Sequence, residues 1–418
     1  VFSDYPDNVI FGIDAFELGA FADAADEFQL LADEYPADAF LGHAEAGMAW
    51  HTQGELGKST ESWLKAAAIV ESFEDRPTVS GRSVLEGAAS FLINDKTLPY
   101  DGEDFEVALL HALLAWDYLR LGLLDDSLVE VRKGYAAQEK AEARYETTYG
   151  MNRFARFLAA VAQEADGRLD DARIDLASLA EEIPDHPAVK YSSARIQQLI
   201  KADEDERQKS EIILVFERGR MPEKIAAEIT YDTDNTVGRI SIPQFGSPSR
   251  PAQGIKLLLD GKEIGKTERL EKVFQVAKEN LEDRIAWLTV KSIGRAAAKT
   301  IIIEKIAEKV EEEKGDFAGF LVKIVGSIWQ IVTERADLRS WITLPLSIDV
   351  LRISVPAGEH HLSLELLNPP NQRGGSGKAD LGIVQCSPAK PVLIHARSLG
   401  ARLFTSVHTP AVTSAVQP

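Results

Sequence analysis

A single cysteine, Cys386, stands among 418 residues. One thiol excludes an intrachain disulfide and any metal site built from cysteines. Taken alone this fits a reducing cytoplasm best, although a periplasmic protein with an adequate core also needs no disulfide. Basic residues are missing from the first 50 positions, which hold 11 Asp/Glu and no Lys or Arg. Such a surface repels phosphate backbones and anionic lipid head groups, so no nucleic-acid partner is expected. Active-site signatures are lacking as well. The eight histidines are scattered, and neither His-Glu-x-x-His nor Gly-x-Ser-x-Gly occurs, so neither a zinc protease helix nor a nucleophile elbow is present. Arg373 to Lys378 resembles a phosphate loop only superficially, because Gln372 replaces the first glycine and Ala379 follows the lysine. His360 and His361 fall on opposite faces of a strand and cannot chelate one metal together. No catalytic residue, cofactor or metal site is therefore assigned.

A long apolar run is also missing. Phe317 to Val332 spans 16 residues, short of the roughly 20 that cross a bilayer. A buried helix is the expected outcome. Being apolar around its circumference it needs covering, and Phe320, Ile324, Ile328 and Trp329 are the candidate assembly residues toward a second copy or another protein.

What is present is ordinary hydrophobic content, 45%, and acidity confined to one half. Residues 1–200 hold 37 acids against 16 bases, and residues 201–418 hold 29 against 30. The acidic surface is read either as solvated helix or as a docking face for a basic partner, with Asp14, Glu17, Asp23 and Asp26 as candidate contacts.

The acidic half carries a repeated spacing, Gly-x-Φ-x-x-small-x-x-x-Φ, where Φ is a large apolar residue. It appears at Gly19/Phe21/Ala24/Phe28, Gly54/Leu56/Ser59/Trp63, Gly122/Leu124/Ser127/Val131 and Gly167/Leu169/Ala172/Leu176. Glycine permits the tight turn between antiparallel helices, the small residue allows close approach, and the large ones fill the seam. Gly47, Trp50, Ala115, Tyr118 and Ala160 precede the turns at packing positions, and Pro36 and Pro184 follow where the second helix must stop. The pattern resembles the tetratricopeptide repeat, with a period of about 34 residues. That likeness implies a concave surface used to hold another protein. Asp125-Asp126 and Asp170-Asp171 follow turns and are expected to cap helices.

The resulting fold class is multidomain α+β: an all-α tetratricopeptide-like solenoid over 1–205, an α+β domain over 206–405 and a tail over 406–418. Glu211 to Glu217 reads as a buried strand, with others at Gly238 to Pro243, Ile255 to Leu259, Ile348 to Val355 and His361 to Leu366. A helical hairpin is expected to be inserted at about 270–335. The polar, Pro/Gly-punctuated stretch 94–102 interrupts the repeats, and its Tyr100 and Asp101 are further candidate binding residues. Residues 1–205 are expected to fold alone, since repeat contacts join sequence neighbours.

Ala336 to Pro345, with the strand and Pro356-Ala357-Gly358 hairpin after it, resembles a segment of a poorly characterised family of bacterial envelope lipoproteins. Tyr100 to Glu106 is similar to the same family. The likeness implies repeat helices joined to a C-terminal α+β domain, export, and an outer-membrane tether through a lipidated N-terminal cysteine. It also implies envelope proteins as partners, including small lipoproteins encoded nearby. Val1 stands where that cysteine would be, so it lies upstream or the tether is absent. Asp337 and Arg339 are expected to form a charge pair, with Trp341 anchored in the core. The functional expectation is a non-enzymatic, oligomeric, protein-binding scaffold in the periplasm. A component touching membrane through 317–332, an enzyme with an unrecognised site, and a cytoplasmic location are the alternatives.

Overall fold

The computed structural model describes residues 5–74, 99–146, 152–201, 209–233, 236–293, 336–369, 377–388 and 390–409. The apolar run 317–332, with Phe320, Ile324, Ile328 and Trp329, and most of the expected insertion lie outside these.

The helical part is α1 (Tyr5–Asn8), α2 (Ile10–Leu18), α3 (Phe21–Glu34), α4 (Ala39–Gln53), α5 (Leu56–Glu74), α6 (Asp104–Leu121), α7 (Leu124–Tyr145), α8 (Arg153–Ala165), α9 (Leu169–Glu182) and α10 (Pro187–Ile200). Each repeated glycine sits at a turn in the left-handed region, with φ of 81° at Gly19, 90° at Gly54, 79° at Gly122 and 77° at Gly167. Ala24, Ser59, Ser127 and Ala172, the small residues of the spacing, are all fully buried. The glycine and the small residue thus do what the spacing requires of them. α3 ends one residue before Tyr35-Pro36, and α10 opens on Pro187, where a missing N–H costs nothing. The paired acids lie in the first turns of α7 and α9 with no side-chain cap bond. They stand at the positive end of the helix dipole, two and three residues after the N-cap positions held by Leu123 and Arg168.

The second half is built on a five-stranded sheet in the order β11-β10-β1-β7-β6. Its strands are β1 (Ser210–Arg218), β6 (Glu268–Glu271), β7 (Ser347–Val355), β10 (Val392–Leu399) and β11 (Arg402–His408). β1 and β10 are parallel and the other pairs antiparallel. A second sheet, in the order β5-β4-β8-β9, contains β4 (Gly254–Leu259), β5 (Lys262–Lys266), β8 (Gly358–Leu367) and β9 (Lys378–Cys386). β2 (Lys224–Thr233) and β3 (Thr236–Phe245) form a separate hairpin, and α11 (Val273–Ile293) follows β6. β11 continues to His408, so the tail boundary at 405/406 cuts a strand.

Side-chain alternation makes the central sheet the middle of three layers. Ile212, Leu214 and Phe216 of β1, with Ile394 and Ala396 of β10, pack against Ile255, Leu257, Leu362 and Leu364 of the second sheet. The intervening residues, Ile213, Val215 and Leu393, belong to one apolar cluster with the helices. That cluster runs from Tyr5 to Leu399, so residues 1–205 share their core with the sheet. The helices therefore do not pack only on their sequence neighbours: the sheet supplies a further neighbour that lies far away in sequence.

Candidate functional site

The same alternation places charge between sheet and helices. Glu217 of β1 and His395 and Arg397 of β10 share parity with Val215 and Leu393, so they face the helices; Glu217 pairs with Arg397 in the register. Opposite them stand His51 near the end of α4 and Asp117 and Arg120 in the last turns of α6. His51 Nδ1 lies 2.7 Å from Asp117 Oδ1 and its Nε2 3.0 Å from Glu217 Oε1. Arg397 donates to Glu217 Oε2 at 2.6 Å, to the Gly219 carbonyl at 2.7 Å and to the Thr343 carbonyl at 2.6 Å. Arg120 donates to Asp117 at 2.9 Å and to Ser406 Oγ at 2.5 Å, and Ser59 donates to Asp117 at 2.7 Å.

Burial alone would push the His51 pKa down, but the carboxylates of Asp117 and Glu217 outweigh it and hold the imidazole in its charged form. Both ring nitrogens then donate. Glu217 is held well below the usual carboxylate range despite its burial, chiefly by the charged His51. His395 goes the other way, down to about 3, because burial and the neighbouring His51 charge both disfavour its protonation.

His51, Glu217 and His395 each offer a ligand atom, all within 4.8 Å of one another. The donor set suits zinc, but its surroundings do not. With His51 charged, it and the guanidinium groups of Arg120 and Arg397 already outnumber the carboxylates of Asp117 and Glu217, so a divalent cation would add uncompensated positive charge in a buried site. His51, Asp117, Glu217 and Arg397 have side chains with 0% exposure, and general acid–base work requires a reactant within hydrogen-bond reach. The cluster is a closed clamp between α4, α6 and the sheet.

Two further clusters repeat this role. Arg352 of β7 reaches Glu164 of α8 at 2.7 Å and Glu211 of β1 at 2.8 Å, with Arg195 of α10 on the same two acids. The segment Ala336 to Pro345 lies against the helices. The backbone N–H groups of Ile342 and Thr343 donate to Glu45 of α4 at 2.7 and 3.0 Å, and that of Trp341 donates to Glu106 of α6 at 2.8 Å. Lys224 Nζ bonds Glu103 at 2.7 Å and the Arg339 carbonyl at 3.1 Å. The chain's own second half therefore covers one face of the helices.

Among the sequence candidates, Asp337 and Arg339 form a two-pronged pair at 2.9 and 2.8 Å, and Arg339 also reaches Asp38 at 3.4 Å. Trp341 is fully buried, and its indole N–H donates to Thr343. The expected charge pair and the buried tryptophan are thus both present. Tyr100 is not a binding residue: it is buried, donates to Glu106 at 2.8 Å and lies 5.0 Å under the Arg339 guanidinium, which corrects its assignment. Its neighbour Asp101 is exposed, as are Asp14, Glu17, Asp23 and Asp26. His51, Glu217, His395 and Arg397 escaped sequence reasoning, since only pairing of β1 with β10 unites positions so far apart. Their available signal was a charged residue set at alternate positions of an otherwise apolar strand.

No protein-family model, curated protein or solved structure matches the chain. Among the described residues no helix is long and apolar enough to cross a membrane.

Proposed function

We propose that the chain is a non-enzymatic, protein-binding scaffold whose first half is a tetratricopeptide-like solenoid and whose site of action is the bacterial envelope. The observation that carries the binding role is the contrast between consumed and unconsumed charge. The clustered charges facing the sheet are spent on internal pairs, whereas Asp7, Asp14, Asp23, Asp26 and Glu27 are exposed and have no ion-pair partner among the described residues. A surface of this kind steers and selects a cationic partner. The face against the sheet is filled, so the partner belongs on the outer side of α2 and α3. The envelope placement, the small-lipoprotein partners and a lipid tether upstream of Val1 rest on the resemblance of 336–345 and 100–106 to envelope lipoproteins. In vivo cross-linking of the full-length protein, followed by fractionation of the envelope, tests the reading. A discrete cross-linked complex in the envelope fraction is expected, and a protein that stays uncomplexed in the cytoplasm overturns it.

A further inference from the structure

Helix α2 is apolar on two sides. Gly12, Ile13 and Phe16 face the core, yet Phe11, Leu18 and Ile10 remain 71%, 66% and 50% exposed. At 3.6 residues per turn, Ile10, Phe11, Asp14, Glu17 and Leu18 fall within roughly 120° of the circumference. One outward stripe thus carries three large apolar side chains and two carboxylates. A helix apolar on both sides is what a covered helix looks like. The stripe borders a cleft of about 440 Å³ between the helices and the sheet, lined by Asp14, Glu17, Leu18, Arg220, Gly400 and Arg402. Glu17 is matched there by Arg220 at 2.5 Å, while Asp14 has no ion-pair partner among the described residues. Arg402 lies across the cleft and donates to the Glu17 carbonyl oxygen at 3.0 Å, which puts a partner's cations on the Asp14 side. Next to the stripe, α3 turns Asp23, Asp26, Glu27 and Asp33 to solvent.

The geometry points to α2 as the docking face for a basic amphipathic helix of a partner protein, which seats apolar side chains on Phe11 and Leu18 and sets Lys or Arg residues against Asp14 and the acids of α3. The inference deepens the scaffold reading and rests on it. Apolar anchors at helical spacing, flanked by charge, are a recurring means of recognising an amphipathic helix. The absence of any Lys or Arg in the first 50 residues selects the sign of the partner's charge.

Fluorescence anisotropy with synthetic 14-residue peptides tests this on the full chain. The probes are an amphipathic Leu/Lys helix, the same composition scrambled to break helical spacing, and a Leu/Glu helix. The Leu/Lys helix is expected to bind more tightly than both others. Phe11→Ser with Leu18→Ser should weaken it by about tenfold or more, and Asp14→Lys should weaken it and flatten its salt dependence. These side chains are exposed, so unchanged circular dichroism is expected for each variant. Equal binding of the scrambled or Leu/Glu peptide, or no effect of the double variant, overturns the assignment of α2. A dimer that becomes monomeric in the double variant, seen by sedimentation, assigns the stripe to a second copy and also overturns it. Cross-linking of a native complex does not depend on α2, so the scaffold reading survives a negative peptide result.

Discussion

The two faces of the central sheet are built on different chemistry. Toward the second sheet, β1 and β10 present Ile212, Leu214, Phe216, Ile394 and Ala396 to Leu257, Leu362 and Leu364, and the charge there includes the Arg218–Asp349 pair at 3.3 Å. Toward the helices, the apolar residues are interrupted by Glu217–Arg397–His51–Asp117, by Arg352–Glu211–Glu164 and by Glu45 under the backbone of 342–343. Sheet-on-sheet packing joins segments that neighbour one another in sequence and follow turn geometry, and apolar alternation suffices to align it. The helices have no such local guide to their position on the sheet. Apolar stripes tolerate sliding, whereas a buried carboxylate that misses its arginine incurs a large cost. The buried charges are best understood as specifying where the helices sit, at some expense in stability.

The severest way to break this comparison is to remove the sheet. A fragment of residues 1–205 would expose the helix face bearing Glu45, His51 and Asp117 together with the apolar residues around them. It is expected to lose the cooperative thermal transition of the intact chain by circular dichroism. A sharp, reversible melt of the fragment would mean that helix–helix contacts suffice and that the buried clusters add only detail.

Within the intact chain, Glu217→Ala leaves Arg397 and His51 buried without their shared carboxylate and should cost about 3–5 kcal/mol. Denaturant titration reads this directly. On the other face, Leu364→Ala removes apolar contact and leaves a cavity, for a loss of about 2–5 kcal/mol. Replacing Glu217 and Arg397 together by Met and Leu should recover part of the first loss, because Arg397 no longer lies unpaired while His51 keeps only Asp117 as its partner. If the single and double variants are equally destabilised, the cluster contributes by packing and the distinction between the faces fails.

Much of this layout was legible in the sequence, and the rest was hidden for identifiable reasons. The repeated glycines predicted left-handed turns because a tight helix–helix connection leaves few other solutions, and φ values from 77° to 90° follow. Glu211 to Glu217 read as a strand because a short apolar run between turn signals has few alternatives. β10 carries a weaker signal although Val392-Leu393-Ile394 opens it, since His395 and Arg397 are unusual in a core strand. Their burial depends on Glu217, 178 and 180 residues away, and no local pattern encodes a pairing at that range. Tyr100 failed in the opposite direction. A loop rich in Asp, Pro and Gly suggested exposure, but Glu106 and Arg339 enclose the ring.

The mildest test uses pH to separate buried acids that have cationic partners from those that lack them. Glu271, at the end of β6, is pushed up to about 7 by burial, opposed only in part by Arg153 and by backbone donors that include the Phe154 N–H. Its folded pKa lies above the ordinary value of 4.5, so the folded state holds the proton more tightly than the unfolded one. The resulting penalty is absent below pH 4.5, grows as pH rises toward 7 and is constant above that, with a full size of about 3 kcal/mol. Glu45, also raised to about 7 by burial, has the same sign. Glu211 is the counterpart: despite its burial, Arg352 and Arg195 hold its pKa down, so its stabilisation is present above the ordinary value and is lost as pH falls through the lowered one. The Glu271 and Glu45 contributions should accordingly favour the fold as pH is lowered from 8 to 5, against the opposing loss from His395, whose lowered pKa makes the unfolded chain bind the proton more tightly. Glu271→Gln keeps an acceptor for the Phe154 N–H and removes the charge, so it should add about 1–3 kcal/mol at pH 8 and almost nothing at pH 5. Denaturant midpoints at the two pH values decide it, and a gain of equal size at both would show that Glu271 is already protonated throughout or that its charge is matched by a partner.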